Sequence, residues 1–386
     1  MVDLFEPRLP EERLHSSFRE IQGNPAFASV IPVIQSWSVG LVDRHREGDK
    51  FIKEFQSTFN SSMWELYINK LLIDLGYNVD FSHAAPDFCI TTPQGYRFNV
   101  EAVISDRGQG AVDWRPLAED SKKRGALKLL GKLKDKVDIF RGANGKKTPY
   151  ASLEHVRDLP FVVAIAPFDS EHALMQNNEL INLVLFGIGE PSHDINKFGR
   201  QAKVASLNKP SGAPVNVGIF TNDSFKEISA VIFSTLGTFS KAVVESGMDM
   251  IIRSTRYRVI NKDDIRKDDT AWSLKDRYHT ARNFDFVKTM RWDFGCQVAG
   301  ADVRICHSKL YRETHPDGLH IYYNPYAETP LDPKIFYPAE ITHNFYDTAD
   351  NEPIQIHPDG ALVSRQTFEP SLTWLEHLLR TNGFLG

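Results

Sequence analysis

The most regular hydrophobic pattern in the chain predicts a helix over residues 58–75. Its apolar positions at helical spacing are Phe59, Met63, Leu66, Ile68, Leu71, Leu72 and Leu75, and Gly76 follows as a stop signal. Glu65 lies in the most apolar part of this helix, where a carboxylate is costly unless it is paired or binds a ligand. The alternative is a glutamate on the solvent side of an amphipathic helix. The pattern alone leaves both interpretations open.

Two strand patterns follow this helix, and each contains an acid. Asp87 comes after a proline at the entrance of the short apolar run 88–90, a position where a strand tolerates proline. Residues 96–103 alternate, with Phe98, Val100 and Ala102 on one face and Arg97, Asn99 and Glu101 on the other. The turn-forming residues 92–95 join the two runs into a predicted hairpin. This hairpin would place Glu101 beside Asp87.

Two carboxylates held this close have a defined chemistry. They repel each other unless a proton or a cation lies between them. Oxygen ligands of this kind suit Mg²⁺ or Mn²⁺. The alternative is that each acid forms an ordinary ion pair with a lysine or arginine. We expect a metal site at Asp87 and Glu101.

These acids also carry a resemblance to a known family. A helix with Glu65, a Pro-Asp pair that opens a strand at Asp87, and a hydrophobic strand ending in Val-Glu-Ala around Glu101 together resemble the PD-(D/E)xK (restriction endonuclease-like) nuclease superfamily. The resemblance covers roughly residues 50–170. It implies that Asp87 and Glu101 bind a divalent metal, Mg²⁺ or Mn²⁺, and that Glu65 completes the site.

The chain departs from this family at one position. The family has a lysine two residues after the second acid, and this chain has Val103 there. Some members supply the lysine from a neighbouring helix, and Lys70, Lys132 and Lys136 are candidates here. We take Lys132 as the catalytic lysine. The departure also allows a weakened site that binds nucleic acid or a partner without cleaving it.

A basic helix follows the hairpin. Residues 119–141 have helical periodicity, and the stretch 122–147 contains ten basic residues against two acidic ones in a chain whose formal net charge is −5. The candidate nucleic-acid-binding residues are Lys122, Lys123, Arg124, Lys128, Lys132 and Lys136. The alternative is a solvated helix face. Residues 253–267 interleave basic side chains with Tyr257 and give a weaker signal of the same kind.

The order of the patterns predicts an α/β fold. The continuous apolar run 160–166 reads as a strand buried on both faces. Together with a short strand at 77–81, it completes the restriction-endonuclease-like αβββαβ core with a mixed sheet that the resemblance implies. Residues 215–220 and 228–233 are expected to extend this sheet.

We divide the chain into three parts. Residues 1–50 form an N-terminal helical cover, residues 51–250 the nuclease-like core, and residues 251–386 a C-terminal α+β extension packed on the core. In the last part, the sequence His-Pro-Asp-Gly occurs twice, at 315–318 and 357–360, and predicts a turn before a strand each time. A capped helix is expected at 371–381.

Composition limits the class of protein. The chain has 386 residues, of which 41% are hydrophobic and 25% charged, as in ordinary globular proteins. Its three cysteines are widely spaced, which argues against a disulfide framework and fits a reducing compartment. The first residues lack the apolar core of a signal peptide, and no stretch approaches the roughly 18 apolar residues of a membrane span. We expect a cytoplasmic protein with no membrane contact.

The sequence therefore leads to one main hypothesis. It is a Mg²⁺-dependent endonuclease that hydrolyses phosphodiester bonds, with DNA as its partner and restriction or phage defence as its setting by analogy with the family. A second copy of the chain, or another protein, is a further expected partner. The alternatives are a nuclease-fold protein that binds without cleaving, and a structural protein in which the three acids form ordinary ion pairs.

Overall fold

A computed structural model describes most of the chain. The described residues are 2–44, 47–106, 119–143, 145, 148–168, 178–191, 201–259, 284–293 and 298–385. The helices are α1 (Ser16–Gly23), α2 (Ile31–Trp37), α3 (Gly48–Ser57), α4 (Phe59–Asp74), α5 (Glu119–Arg141), α6 (Glu179–Phe186), α7 (Phe239–Glu245) and α8 (Leu372–Thr381). The helices predicted at 58–75, 119–141 and 371–381 are thereby confirmed.

The strands fall into two main sheets and two short ribbons. In chain order they are β1 (Asn78–Asp80), β2 (Phe88–Thr91), β3 (Arg97–Asp106), β4 (Phe161–Phe168), β5 (Ile188–Pro191), β6 (Gln201–Lys203), β7 (Ser206–Asn208), β8 (Pro214–Asn216), β9 (Ala230–Phe233), β10 (Ile251–Arg258), β11 (Asp285–Asp293), β12 (Val298–His307), β13 (His320–Tyr323), β14 (Thr342–Asp347), β15 (Glu352–Ile356) and β16 (Leu362–Phe368). The fold is therefore mixed α/β.

The larger sheet has eight strands in the order β1-β2-β3-β4-β9-β13-β14-β15. Strands β1, β2 and β3 are antiparallel to one another, and β3, β4 and β9 run parallel. Strand β9 is antiparallel to β13, β13 is parallel to β14, and β14 is antiparallel to β15. The result is a mixed sheet in which the predicted hairpin supplies one edge.

Strand β4 separates two hydrophobic cores. All but its last residue are buried, as the apolar run predicts. Val162, Ala164 and Ala166 pack into the core that contains α4 and the N-terminal helices, whereas Val163 and Ile165 pack into the core beneath α5 and α6. Because neighbouring strand residues point to opposite faces, the sheet is covered by helices on both sides.

Helix α4 is central rather than peripheral. Ten of its sixteen residues are buried. It ends at Asp74, and Gly76, two residues later, has a φ of +73° that favours glycine. Trp64 donates from Nε1 to the carbonyl oxygen of Ala164 at 3.0 Å and so ties the helix to β4. A helix that is apolar around most of its circumference is a core element. Glu65 therefore does not lie on the solvent face of an amphipathic helix.

The C-terminal residues 251–386 are divided between the two sheets. Strands β13, β14 and β15 complete the larger sheet, whereas β10, β11, β12 and β16 form a second sheet in the order β11-β12-β10-β16. The boundary proposed at 250 thus does not separate one sheet from the other. The strand predicted at 228–233 is confirmed, but the one predicted at 215–220 is wrong, because only its start pairs, in the ribbon β7-β8.

The basic stretch at 253–267 is described only up to residue 259, where its arginines have internal partners. Arg256 forms an ion pair with Asp317 at 2.9 Å, and Arg258 forms one with Asp359 at 2.8 Å. Strand β10 is also an interior strand of its sheet. The described part is therefore not an exposed basic edge. Among the described residues, no helix combines the length and apolar character needed to cross a membrane.

Candidate active site

The hairpin brings Asp87 and Glu101 together. Strands β2 and β3 pair with Phe88 opposite Val100, so the same register places Asp87 opposite Glu101. The backbone N–H of Ala102 donates to Oδ2 of Asp87 at 2.8 Å, which holds that carboxylate against β3. Burial and the neighbouring Glu101 raise the pKa of Asp87 to about 7. The predicted juxtaposition of these two acids is confirmed.

Glu65 reaches the same place from the central helix. Burial and the charge of Asp87 raise the pKa of Glu65 well above its ordinary value, and Glu101 adds to this effect. Positive charge brought close to this carboxyl group opposes that rise, as Arg44 already does. The three predicted acids therefore influence one another electrostatically, as a shared site requires.

Glu101 is held by two donors from the far side of the sheet. Lys136 of α5 donates from Nζ to Oε1 of Glu101 at 2.7 Å, and the Tyr150 hydroxyl donates to the same oxygen at 3.2 Å. Only 5% of Glu101 is exposed, yet its Oε2 is buried without a hydrogen-bond partner among the described residues. A buried carboxylate oxygen that lacks a partner is costly, so this atom is the natural point of attachment for a cation.

The lysine at the site is Lys136. Burial acts to lower its pKa, but Glu101, Asp87 and Glu65 together raise it above the ordinary value. Lys132, the residue selected from the sequence, lies one turn earlier in α5, and the described residues show no ion pair or hydrogen bond between it and an acid of the site. Lys70 pairs instead with Asp74 on the same helix.

Val103 explains why the lysine comes from a helix. It lies two residues after Glu101 on the same face of β3, which is the face covered by α5. Its side chain packs against the apolar core beneath α5. Lys136 of α5 reaches that face of β3 and supplies the ammonium group that Val103 does not provide.

Arg44 is a site residue that the sequence analysis did not find. Its Nη2 donates to the backbone oxygen of Asp87 at 3.2 Å, and its guanidinium carbon lies 4.6 Å from the ring centroid of Phe81. Burial lowers the pKa of Arg44, against the opposing charges of Asp87 and Glu65. Arg44 and Asp87 are 43 residues apart, so no local pattern links them. Tyr150, which is 49 residues from Glu101, escaped notice for the same reason.

The basic face of α5 is partly neutralised. Ion pairs connect Lys122 with Glu179, Lys134 with Asp138 and Arg141 with Glu227. Lys136 points into the site, and only 16% of its side chain is exposed to solvent. The remaining predicted nucleic-acid-binding residues that the structure describes are Lys123, Arg124, Lys128 and Lys132, along the same helix. Lys146 and Lys147, which belong to the same basic stretch, lie outside the described residues.

The two carboxylates of Asp87 and Glu101 are suitable oxygen ligands for a hard divalent cation such as Mg²⁺. Within the described ranges, no group of three or more histidine, cysteine, aspartate or glutamate side chains is arranged as a ready metal cage. Mg²⁺ seldom needs one, since it keeps several waters and is commonly held by one or two carboxylates together with substrate phosphates. Asp87 and the unpartnered Oε2 of Glu101 meet that requirement.

Comparison of this chain with protein-family models, with curated proteins and with solved structures finds no match. The geometry of the site is therefore the basis for assigning its chemistry.

Proposed function

We propose that this protein is a divalent-metal-dependent nuclease that hydrolyses phosphodiester bonds, with DNA as the substrate. The observation that carries the proposal is the convergence of Asp87, Glu101 and Lys136. These residues come from a strand entrance, a neighbouring strand and a helix, and the Nζ of Lys136 lies 2.7 Å from Glu101. A buried acid whose pKa is raised by burial and by a neighbouring acid, beside a buried lysine, is typical of a functional site.

The order of elements supports the same proposal. The chain runs α4, β1, β2, β3, α5 and β4, with three antiparallel strands followed by a parallel one. This is the αβββαβ order that the resemblance to the PD-(D/E)xK superfamily implies. DNA as the substrate, and restriction or phage defence as the setting, rest on that resemblance.

Each residue of the site has a role in this proposal. Asp87 and Glu101 would hold Mg²⁺ or Mn²⁺, whereas Glu65, predicted as a third ligand, interacts with Asp87 through its charge and is not counted among the ligands. When bound, the ion supplies positive charge that polarises the phosphate and activates a water molecule. Lys136 stays protonated at neutral pH because its pKa is raised, so it acts as a donor and not as a base. Its ammonium group stabilises the negative charge that develops on the phosphate oxygens.

The overall reaction needs no covalent enzyme intermediate. The oxygen of a water molecule bonds to phosphorus, the bond to one ester oxygen breaks, and that oxygen leaves with a proton. Tyr150 positions Glu101 through the hydrogen bond from its hydroxyl. The described residues therefore divide into acids that bind the cation, a lysine that stabilises charge and a tyrosine that orients one acid.

The experiment is DNA cleavage by the purified protein. Plasmid and linear DNA are incubated with Mg²⁺ or Mn²⁺, with EDTA as the first control. Glu101→Ala tests the site, and Glu154→Ala, which removes an exposed acid from the loop before β4, is the matched control. We expect cleavage that requires the metal and Glu101 and is unaffected by Glu154→Ala. Cleavage that persists in Glu101→Ala would contradict the proposal.

A second candidate function has its own supporting observation. Val103 stands where the family has its lysine, and Lys136 already forms an ion pair with Glu101 in the structure. A protein of this kind could bind DNA through its basic helix without cleaving it. Salt-sensitive DNA binding by wild-type protein, with no cleavage in Mg²⁺ or Mn²⁺, would favour this second function.

A further inference from the structure

The strongest feature that the proposed function leaves unused is the guanidinium group of Arg44. It belongs to the N-terminal part of the chain, in the segment between α2 and α3, yet it lies beside the acids of the site. Its charge acts on both Asp87 and Glu65. The presence of this positively charged side chain, which comes from a separate part of the chain, needs a physical explanation.

The segment that precedes Arg44 is fixed by the central helix. Asn69 of α4 is buried, and its Nδ2 donates to the backbone oxygens of Trp37 and Val39 at 2.8 and 2.9 Å. Gly40 follows with a φ of +82°, and a Cβ there would lie 2.5 Å from the Phe81 ring. The same α4 helix that presents Glu65 thus also positions the start of this segment, since Asn69 lies one turn after Glu65.

Arg44 and Val42 are also contacted by the start of α3. The backbone N–H of Gly48 donates to the backbone oxygen of Arg44 at 2.9 Å. A Cβ at Gly48 would lie 2.2 Å from the backbone oxygen of Val42, so the two ends of the segment are in direct contact. Phe81 supports the guanidinium group from below, at 4.6 Å from its ring centroid. Arg44 is held in place by its surroundings on several sides.

Among the described residues, Arg44 nevertheless makes a single hydrogen bond. A guanidinium group has five N–H donors, and one of them is taken by the backbone oxygen of Asp87 at 3.2 Å. Its Nε is buried without a hydrogen-bond partner among the described residues. Arg44 also forms no ion pair within 4.0 Å with a carboxylate in the part of the chain that the structure describes. A structural counter-ion would be paired directly with an acid.

The unused donors match one class of ligand. A planar guanidinium group binds two oxygens of a phosphate at once, which an ammonium group cannot do. A phosphodiester with one non-bridging oxygen bound to a cation at Asp87 and Glu101 would have its other non-bridging oxygen available to Arg44. We propose that Arg44 binds a non-bridging oxygen of the substrate phosphate and stabilises the charge that develops there during hydrolysis. This inference rests on the proposed nuclease function.

The first test measures DNA binding without cleavage. In a Glu101→Gln background, Arg44→Met is compared with Arg97→Met, which removes an exposed arginine at the start of β3. The probe is a short DNA duplex, and its affinity is measured as a function of salt concentration. We expect Arg44→Met to weaken binding about tenfold and to lower the salt slope by about one, as the loss of one phosphate contact should. Arg97→Met should leave both unchanged.

The second test measures cleavage in the otherwise wild-type chain. Arg44→Met should lower kcat on the order of 100-fold, the usual effect of removing one charge-stabilising donor. Arg44→Lys retains the positive charge over Phe81 but lacks the planar group, so it should bind DNA better than Arg44→Met and still lose about tenfold in rate. It is also the variant to use if Arg44→Met does not fold.

The outcomes separate this inference from the proposed function. If wild-type protein does not cleave but Arg44→Met still lowers the salt slope, the nuclease proposal fails and the phosphate contact stands. If wild-type protein cleaves and neither Arg44 variant changes rate or affinity, the role of Arg44 is wrong while the nuclease proposal stands. Equal losses in Arg44→Met and Arg97→Met would reduce the effect to general charge and overturn the inference.

Discussion

The protein buries two clusters of charged side chains, and they differ in how their charges are balanced. In the first, Lys241 and Arg365 both pair with Glu313, at 3.0 and 3.2 Å. Lys241 also donates to the backbone oxygens of Thr314 and Asp317 at 2.9 and 3.1 Å. All three paired side chains are 0% exposed. This cluster joins α7 and β16 with the segment before β13.

The second cluster is the candidate active site, and it is not balanced in the same way. Glu65, Asp87 and Glu101 face the paired ammonium group of Lys136 and the guanidinium group of Arg44, whose hydrogen bond within the described residues goes to the backbone oxygen of Asp87. Burial and the neighbouring Glu101 raise the pKa of Asp87 to about 7, whereas the pKa of Glu313 is lowered from its ordinary value by its two cations despite burial.

The contrast separates a structural cluster from a functional one. Burying charge is costly, and a cluster that serves the fold offsets that cost with partners of opposite sign inside the protein. A cluster that leaves acids facing one another stores an unfavourable interaction that a cation or substrate can relieve. The two clusters therefore predict opposite responses to mutation, pH and divalent metal.

The largest expected effect is on the balanced cluster. Lys241→Met should lower the free energy of unfolding by about 3–5 kcal/mol, because it leaves part of the charge on Glu313 buried and unpaired. Lys334→Met, at an exposed position, is the matched control. Chemical denaturation measures both, and Glu101→Gln should change stability far less than Lys241→Met. Similar losses in Lys241→Met and Glu101→Gln would remove the distinction between the clusters.

The next effect is on the rate of cleavage. Lys136→Met should lower the rate on the order of 100-fold, because the ammonium group at Glu101 is lost. Lys132→Met removes the same charge one turn away on the same helix and should change the rate only a few-fold. The pair is compared under saturating Mg²⁺, and a larger loss in Lys132→Met would restore the assignment made from sequence.

A smaller effect should appear in the pH dependence of stability. The pKa of Asp87 is about 7 in the folded chain, against an ordinary value of 3.8. The folded state thus binds this proton more tightly, so the stability it contributes is full below about pH 4 and is lost as the pH rises toward 7.

Asp87→Asn removes that dependence. Its melting temperature should exceed that of the parent at pH 8 and approach it near pH 4, as measured by thermal unfolding at matched salt. Added Mg²⁺ should raise the melting temperature of the parent at pH 8 and have little effect on Asp87→Asn. A parent chain whose stability does not fall relative to Asp87→Asn between these pH values would contradict the assigned environment of Asp87.

The smallest expected effect is that of Tyr150→Phe. It removes one hydrogen bond to Oε1 of Glu101, which keeps its ion pair with Lys136. The expected loss is about 1 kcal/mol of stability, the usual value for a single hydrogen bond. A positioning role adds a second signature, an increased Mg²⁺ concentration for half-maximal cleavage with a smaller change in kcat. Loss of stability with no change in metal dependence would reduce Tyr150 to a structural role.

Much of the fold could be predicted because its signals are local. The apolar spacing of α4, the alternation of β3 and the uninterrupted run of β4 each follow from side chains that are close in sequence. The two His-Pro-Asp-Gly turns are confirmed, with Gly318 and Gly360 at φ of +82° and +84°. The hairpin register followed from the same local information, and with it the meeting of Asp87 and Glu101.

The remaining features depend on distant parts of the chain. The sequence left three lysines as candidates for the lysine of the site. Only the packing of α5 on β3 shows that Lys136 is the one that contacts Glu101. Strands β13, β14 and β15 join the larger sheet although they lie far along the chain, which no periodicity could indicate.

The sequence by itself determined the three acids, the elements that present them and the hairpin that joins two of them, because periodicity and turn chemistry act over a few residues. Only the tertiary structure decided which cations meet those acids. Arg44 lies on a segment whose start is held by Asn69 of α4. Lys136 belongs to α5, which covers the opposite face of the sheet from α4. These pairings depend on packing between elements far apart in sequence, and burial then sets their electrostatics.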